Sequence, residues 1–142
     1  MVERFFMESS KDKPDDEKFL LYGVTWLTKQ NEKAILYLPV ADRIESSYFS
    51  KLYSKEMAKE FRKNMCMTFG DKKIDIISDR TVKPTSELVN VFVVWADDNY
   101  DKMVTKIEES YNINSILVLP WNPETDIKDW KTRHNPTQLF LD

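Results

Sequence analysis

Two stretches decide the fold: Val89-Asn90-Val91-Phe92-Val93-Val94-Trp95 and Ser115-Ile116-Leu117-Val118-Leu119-Pro120-Trp121. Nearly unbroken apolar runs of this length are typical of strands that are covered on both faces of a sheet. Between them, helical spacing relates four residues: Met103, Val104, Ile107 and Tyr111. Because a parallel strand pair needs such a crossover, we predict a parallel βαβ unit. The residues expected at its buried centre are Val91, Val93, Ile116 and Val118.

The rest of the chain adds a hairpin, a long helix and a further strand. Phe19–Leu27 and Ala34–Val40 are apolar runs with a polar segment between them, which favours an antiparallel hairpin. Ser46–Met67 carries one apolar stripe at helical spacing, and Gly70 follows it as a helix stop. Lys73–Asp79 is a short predicted strand. With the βαβ unit, these elements predict α/β architecture: a mixed sheet of about five strands packed against two or three helices.

Both ends of the chain are expected to lie outside the sheet, within a single domain that spans residues 1–142. Residues 1–18 are predicted to be a mobile lead-in, and residues 137–142 a C-terminal tail that docks back on the body. The last helix is expected to begin at Asn122-Pro123, a cap followed by a favoured first residue, and to end at Asn135-Pro136.

Composition excludes several classes of protein. One cysteine permits neither an internal disulfide nor a cysteine-rich zinc site, and two glycines are too few for a glycine-rich phosphate loop. A net charge of -3 makes nucleic acid an unlikely partner, and no apolar run is long enough to span a membrane. These features predict a soluble cytoplasmic protein. Abundant lysine and asparagine with little glycine are typical of a low-GC bacterium or its phage.

The first candidate site lies where the two apolar runs end. Parallel pairing brings such strand ends to one edge of a sheet, where open α/β sheets bind their ligands. The residues that we expect there are Trp95, Asp97, Asp98, Trp121 and Asn122. Carboxylates beside aromatic planes suit a hydrated cation or a stacked nucleotide-like ligand. The competing interpretation is structural, because Asp98 and Asn122 are also well placed as helix caps.

A second candidate site adds the pairs Asp42-Arg43 and Asp79-Arg80, each of which follows a predicted strand. If those strands run parallel to the βαβ strands, four acidic groups meet at one edge, as in a magnesium-assisted phosphoryl-transfer site. If either strand is antiparallel, its pair moves to the opposite edge. Exposed Asp-Arg steps are also ordinary solvated turns, so strand direction decides between the two interpretations.

No residue set specifies a reaction. His134 has no assignable partner and is placed to stabilise a helix C-terminus, while Cys66 lies in an apolar run that predicts burial. The lysines of Ser46–Met67 alternate with glutamates, which is typical of a solvated helix surface. We therefore expect a binding or regulatory module whose partner is a protein or a small nucleotide-like ligand. The alternative is a small metal-dependent enzyme or nucleotide-binding protein that uses the strand-end aspartates. The sequence identifies no catalytic residue, metal, cofactor or oligomeric state.

Overall fold

One sheet with helices on both faces forms the fold, as given by a computed structural model that describes residues 2–7, 16–38, 44, 47–78, 81, 85–94, 100–120 and 127–139. In chain order the elements are β1 (Glu3–Met7), α1 (Asp16–Thr28), β2 (Lys33–Tyr37), α2 (Ser47–Tyr53), α3 (Lys55–Asn64), β3 (Cys66–Phe69), β4 (Lys72–Ile77), β5 (Thr85–Val94), α4 (Tyr100–Ser110), β6 (Tyr111–Leu119), α5 (Lys128–His134) and β7 (Thr137–Leu139). The strand order is β3-β4-β2-β5-β6-β1-β7, and every neighbouring pair is parallel except β3 with β4.

The parallel βαβ unit is confirmed. β5 and β6 pair in parallel, with Val91 opposite Ile116 and Val93 opposite Val118, and α4 connects them along the chain. All of these side chains have 0% exposure. The α/β class and the mixed sheet are therefore as predicted, but the described residues contain seven strands and not about five. They also contain five helices, where two or three were expected.

The predicted N-terminal hairpin is wrong. Phe19–Leu27 lies within α1, and only Ala34–Val40 contributes a strand, β2. The buried face of α1 repeats at helical spacing: Phe19, Leu20, Val24 and Leu27. Leu21 and Tyr22 on the opposite face are also apolar, with 50% and 37% exposure. Apolar residues around the whole helix hide its period, so the run resembles a strand.

Both predicted terminal segments contain strands. Glu3–Met7 is β1, which pairs with β6 on one side and with β7 on the other, so the expected mobile lead-in over residues 1–18 is wrong for this part. Thr137–Leu139 is β7, where a docked tail was expected. The apolar run of β1 is only Phe5-Phe6-Met7, and β7 has only three residues, so neither shows a strand pattern alone. Both are stabilised by pairing with strands that are remote along the chain.

The predicted long helix Ser46–Met67 is two helices and the start of a strand. Ser54 breaks it with φ 76°, and its side chain accepts a hydrogen bond from the N–H of Met57 at 3.2 Å, which caps α3. Met65 ends α3 in the left-handed region with φ 51°. Gly70, at φ 58°, belongs to the turn between β3 and β4 and not to a helix end.

The last helix is shorter than predicted. α5 begins at Lys128 with Ile127 at its N-cap, so it does not start at Asn122-Pro123. Asn122 itself lies outside the described residues. The predicted end is confirmed, because Asn135 adopts φ 46° and donates its N–H to the Lys131 carbonyl.

The sheet carries a core on each face. On one face α1, α2 and α3 cover a cluster that includes Leu20, Phe49, Phe61 and Phe92. On the other face α4 and α5 cover a cluster that includes Val104, Ile107 and Trp130. Successive residues of the central strands belong to the clusters on opposite faces of the sheet. Both faces are buried, which is why the two runs are almost continuously apolar.

Tyr53 at the end of α2 makes stability depend on pH above the neutral range. Its ring lies 5.7 Å from the rings of Phe61 and Phe69, and burial raises its pKa to about 12. Because the pKa of Tyr53 is higher in the folded state than in the unfolded state, the neutral phenol favours folding. This contribution to the free energy of unfolding is complete below the unfolded-state pKa near 10, and it is lost as pH rises through 12. We expect the absorbance titration of the phenols in the wild-type protein to include a group near pH 12 that comes from Tyr53. That group should be missing in Tyr53→Phe, and its retention would contradict the assignment.

Candidate functional site

Four parallel strands end level at one edge of the sheet. Ile77 of β4 is opposite Tyr37 of β2, Tyr37 is opposite Val93 of β5, and Val93 is opposite Val118 of β6. Each of these residues is the last or the next-to-last residue of its strand. The segments that follow β4, β2, β5 and β6 therefore all leave the sheet at this carboxyl edge.

The chain leaves two neighbouring strands toward opposite faces of the sheet. β2 is followed by α2 and α3, which pack with α1 on one face, whereas β5 is followed by α4 on the other face. β2 and β5 are adjacent, so this is a topological switch point. In open α/β sheets the diverging connections leave a crevice at such a point, beyond the carboxyl ends of the strands, and ligands bind there. The topology thus marks the β2–β5 boundary as the candidate site.

The residues predicted for the site lie in the segments that follow these strands. Trp95, Asp97 and Asp98 follow β5, and Trp121 and Asn122 follow β6. The pairs Asp42-Arg43 and Asp79-Arg80 follow β2 and β4. All of these residues lie outside the described part of the chain, so their contacts stay predictions. What the structure brings together is the four strand ends to which they are attached.

A hydrogen-bonded turn closes the chain directly after β4. The Ser78 N–H donates to Thr81 Oγ1 at 2.8 Å, and the Thr81 N–H donates to the Ser78 carbonyl at 3.0 Å. Ser78 is buried, and neighbouring Leu38 donates its N–H to the Ile77 carbonyl at 2.9 Å. The edge of the sheet beside the switch point is therefore held by backbone and hydroxyl hydrogen bonds. This turn was not predicted, although a serine and a threonine three residues apart after a strand are typical of one.

His134 belongs to an ion cluster that joins β1, α4 and α5. Glu108 accepts hydrogen bonds from Arg4 Nε at 2.6 Å and from Trp130 Nε1 at 3.0 Å, and His134 Nε2 lies 3.9 Å from its Oε2. These contacts tie two helices to the sheet, in keeping with a structural histidine. Glu108 was not predicted, because nothing in its local sequence distinguishes it from other helical glutamates.

Cys66 and His134 do not form a catalytic dyad. Cys66 lies on β3, the first strand of the sheet order, whereas His134 contacts the cluster around Arg4 on β1, the sixth. Cys66 is only half-buried, whereas its apolar run predicted a buried residue. Its position on an edge strand accounts for the exposure, since an edge has no neighbour to cover it.

A surface groove of about 370 Å³ separates α4 from α5. Its lining is polar: Lys102, Thr105, Lys106, Glu109, Asp129 and Arg133. Arg133 donates to Thr105 Oγ1 across it at 3.2 Å. The mixture of acidic and basic groups produces no strong field of one sign, so the charge of the groove favours no particular class of ligand.

The described residues contain no group of three or more His, Cys, Asp or Glu side chains that could hold a metal ion. The aspartates predicted for the candidate site lie outside these described residues. None of the helices in the described ranges has the length and apolar character needed to span a bilayer. No protein-family model matches the chain, and neither a curated protein nor a solved structure resembles it significantly.

Proposed function

We propose that this protein is a binding module that holds a small ligand at the β2–β5 switch point. The observation that carries the proposal is topological: four parallel strands end level, and the chain diverges to opposite faces between two of them. A crevice of this kind forms from backbone direction alone, whatever side chains line it. The proposal therefore does not depend on any single contact.

The side chains that follow the strand ends suggest the chemistry of the ligand. Trp95 and Trp121 supply aromatic planes on which a base or a sugar can stack. Asp97 and Asp98 supply carboxylates that accept hydrogen bonds from hydroxyl groups or hold a hydrated cation. A nucleotide-like ligand presents both a flat ring and hydroxyl groups, so it matches this combination best.

A metal-dependent enzyme is the second candidate function, and strand direction favours it. Both β2 and β4 run parallel to β5 and β6. Asp42 and Asp79 therefore follow strands that end at the same edge as the strand preceding Asp97. Converging carboxylates of this kind could hold magnesium for phosphoryl transfer, with Arg43 or Arg80 on the phosphate. The two candidates share a site and differ in whether a divalent ion binds tightly and a substrate is turned over.

A thermal-shift screen with nucleotides and divalent ions, followed by calorimetric titration, tests both candidates. We expect a nucleotide-like ligand to raise the melting temperature in a concentration-dependent way, because it binds the folded state only. Asp97→Asn should weaken binding by about tenfold or more, which corresponds to about 1.4 kcal/mol. Its effect on stability should stay below about 1 kcal/mol. Asp98→Ala should likewise change stability by less than about 1 kcal/mol, because α4 begins at Tyr100 and the predicted cap Asp98 is not the residue directly before it.

Asp71→Asn is the matched control for Asp97→Asn. Asp71 is an exposed aspartate in the turn before β4, so it lies at the opposite, amino edge of the sheet. It should leave ligand affinity unchanged while altering the net charge equally. A magnesium site tighter than millimolar, lost in Asp97→Asn and accompanied by turnover, would favour the enzyme. Equal responses of the two variants, or no ligand in the screen, would contradict a site at the switch point.

A further inference from the structure

Asn90 is a polar side chain at the centre of an apolar sheet. It lies in β5 between β2 and β6 and has 0% exposure. Its Oδ1 accepts hydrogen bonds from Asn114 Nδ2 at 2.9 Å and from Ser115 Oγ. Its Nδ2 is buried, and no group in the described part of the protein bonds to it. A buried donor without a partner is rare in folded proteins, because it loses its bonds to water without replacement.

The side chains that flank Asn90 on the neighbouring strands are small, so they occupy less of the space beside its amide than larger residues would. Asn90 faces α1, as Phe92 two residues further along the strand does. The residues opposite Phe92 on the two neighbouring strands, Leu36 and Leu117, have large side chains. The residues opposite Asn90 on the same two strands, Ala34 and Ser115, have small side chains. Since Oδ1 is directed at β6 and the two branches of an amide diverge, Nδ2 is directed toward Ala34.

A carboxylate lies on the β2 side of Asn90. Glu32, which precedes β2, accepts from Asn114 Nδ2 of β6 at 3.0 Å, so this contact passes over β5 and over Asn90. Ser115 donates its hydroxyl proton to Asn90 and keeps lone pairs that can accept. β6 has its register shift here, where Val89 pairs with Ile113 and Asn90 with Ser115, so Asn114 is an extra, bulged residue.

We infer that a single buried water molecule binds here, accepting from Asn90 Nδ2 and donating to the Glu32 carboxylate. The site requires a ligand that both accepts and donates. An anion would be repelled by the Glu32 carboxylate and a metal cation by the amide N–H groups, whereas water satisfies both. The water links β5 to the segment directly before β2, beside the bulge of β6. The inference does not depend on the proposed function, because the site adjoins the amino end of β2.

A high-resolution crystal structure and magnetic relaxation dispersion of water test the inference. We expect an isolated density peak about 2.7–3.2 Å from Asn90 Nδ2. A chain of 142 residues holds about five internal waters, so the dispersion must be compared between variants. Asn90→Leu removes the donor and Ala34→Val fills the space; each should lower the dispersion amplitude by one long-lived water. The matched control is Asn112→Leu, at an exposed asparagine of the neighbouring strand β6, and it should leave the dispersion amplitude unchanged.

Two results would overturn the inference. One is a crystal structure in which Nδ2 bonds directly to a protein atom, or in which no density lies beside it. The other is a dispersion amplitude that Ala34→Val leaves at the wild-type value. Should Asn90→Leu fail to fold, the wild-type density and Ala34→Val still decide the question.

Discussion

Trp130→Ala is expected to lower the free energy of unfolding by about 3–5 kcal/mol, the usual range for removing a buried tryptophan. Trp130 has 0% exposure and fills the core under α4 and α5. The substitution opens a cavity and also removes the indole N–H from Glu108. Denaturant unfolding monitored by circular dichroism measures the change. A loss below about 1 kcal/mol would mean that α5 does not pack on the sheet as described.

Trp130→Phe separates packing from hydrogen bonding. It keeps most of the apolar volume and removes only the donor to Glu108 Oε2. The carboxylate keeps its contact with Arg4, so the expected cost is about 1–3 kcal/mol, the range for leaving a buried acceptor unsatisfied. A cost equal to that of alanine would show that the hydrogen bond, and not the packing, accounts for the effect.

Gly23→Ala is expected to destabilise the protein by about 2 kcal/mol, although alanine favours helices over glycine by about 1 kcal/mol. A Cβ atom at Gly23 would overlap the ring of Phe92, which is fully buried in the adjacent strand β5. The ring cannot move without displacing the rest of the core. Overpacking of this kind therefore outweighs the gain in helix propensity. Unfolding by urea measures the result, and Thr25→Ala, on the exposed side of α1, is the control.

Phe92→Leu should rescue Gly23→Ala in part, because a smaller side chain clears the position of the new methyl group. The double variant should be more stable than the sum of the single changes predicts, by about 0.5–3 kcal/mol, as for residues in direct contact. Strict additivity would show that α1 does not approach β5 at Gly23.

The central strands were predictable because their environment is uniform. The strands β5 and β6 are covered on both faces, so an apolar run is enough to indicate that their residues are buried. These residues include Val91, Val93, Ile116 and Val118. The helix α1 was mispredicted for a related reason, since Leu21 and Tyr22 are apolar on its exposed side and hide the helical period. Composition also excluded disulfides and glycine-rich phosphate loops on counts alone.

Other features depend on partners that are remote along the chain. Glu32 and Asn114 are 82 residues apart in the sequence, and Arg4 and Glu108 are 104 residues apart. No local sequence pattern therefore predicts either contact. β1 and β7 exist as strands because they pair with β6 and with each other.

The sequence by itself determined the α/β class, the parallel βαβ unit and the residue types that follow its strands. Only the tertiary structure decided that β2 and β4 run parallel to β5 and β6, and that β2 and β5 are neighbours. The physical reason is that apolar periodicity records whether a residue is buried, whereas strand order and direction arise from hydrogen bonds between distant segments. Those bonds place the candidate ligand site at one edge of the sheet and the Asn90 network near the other.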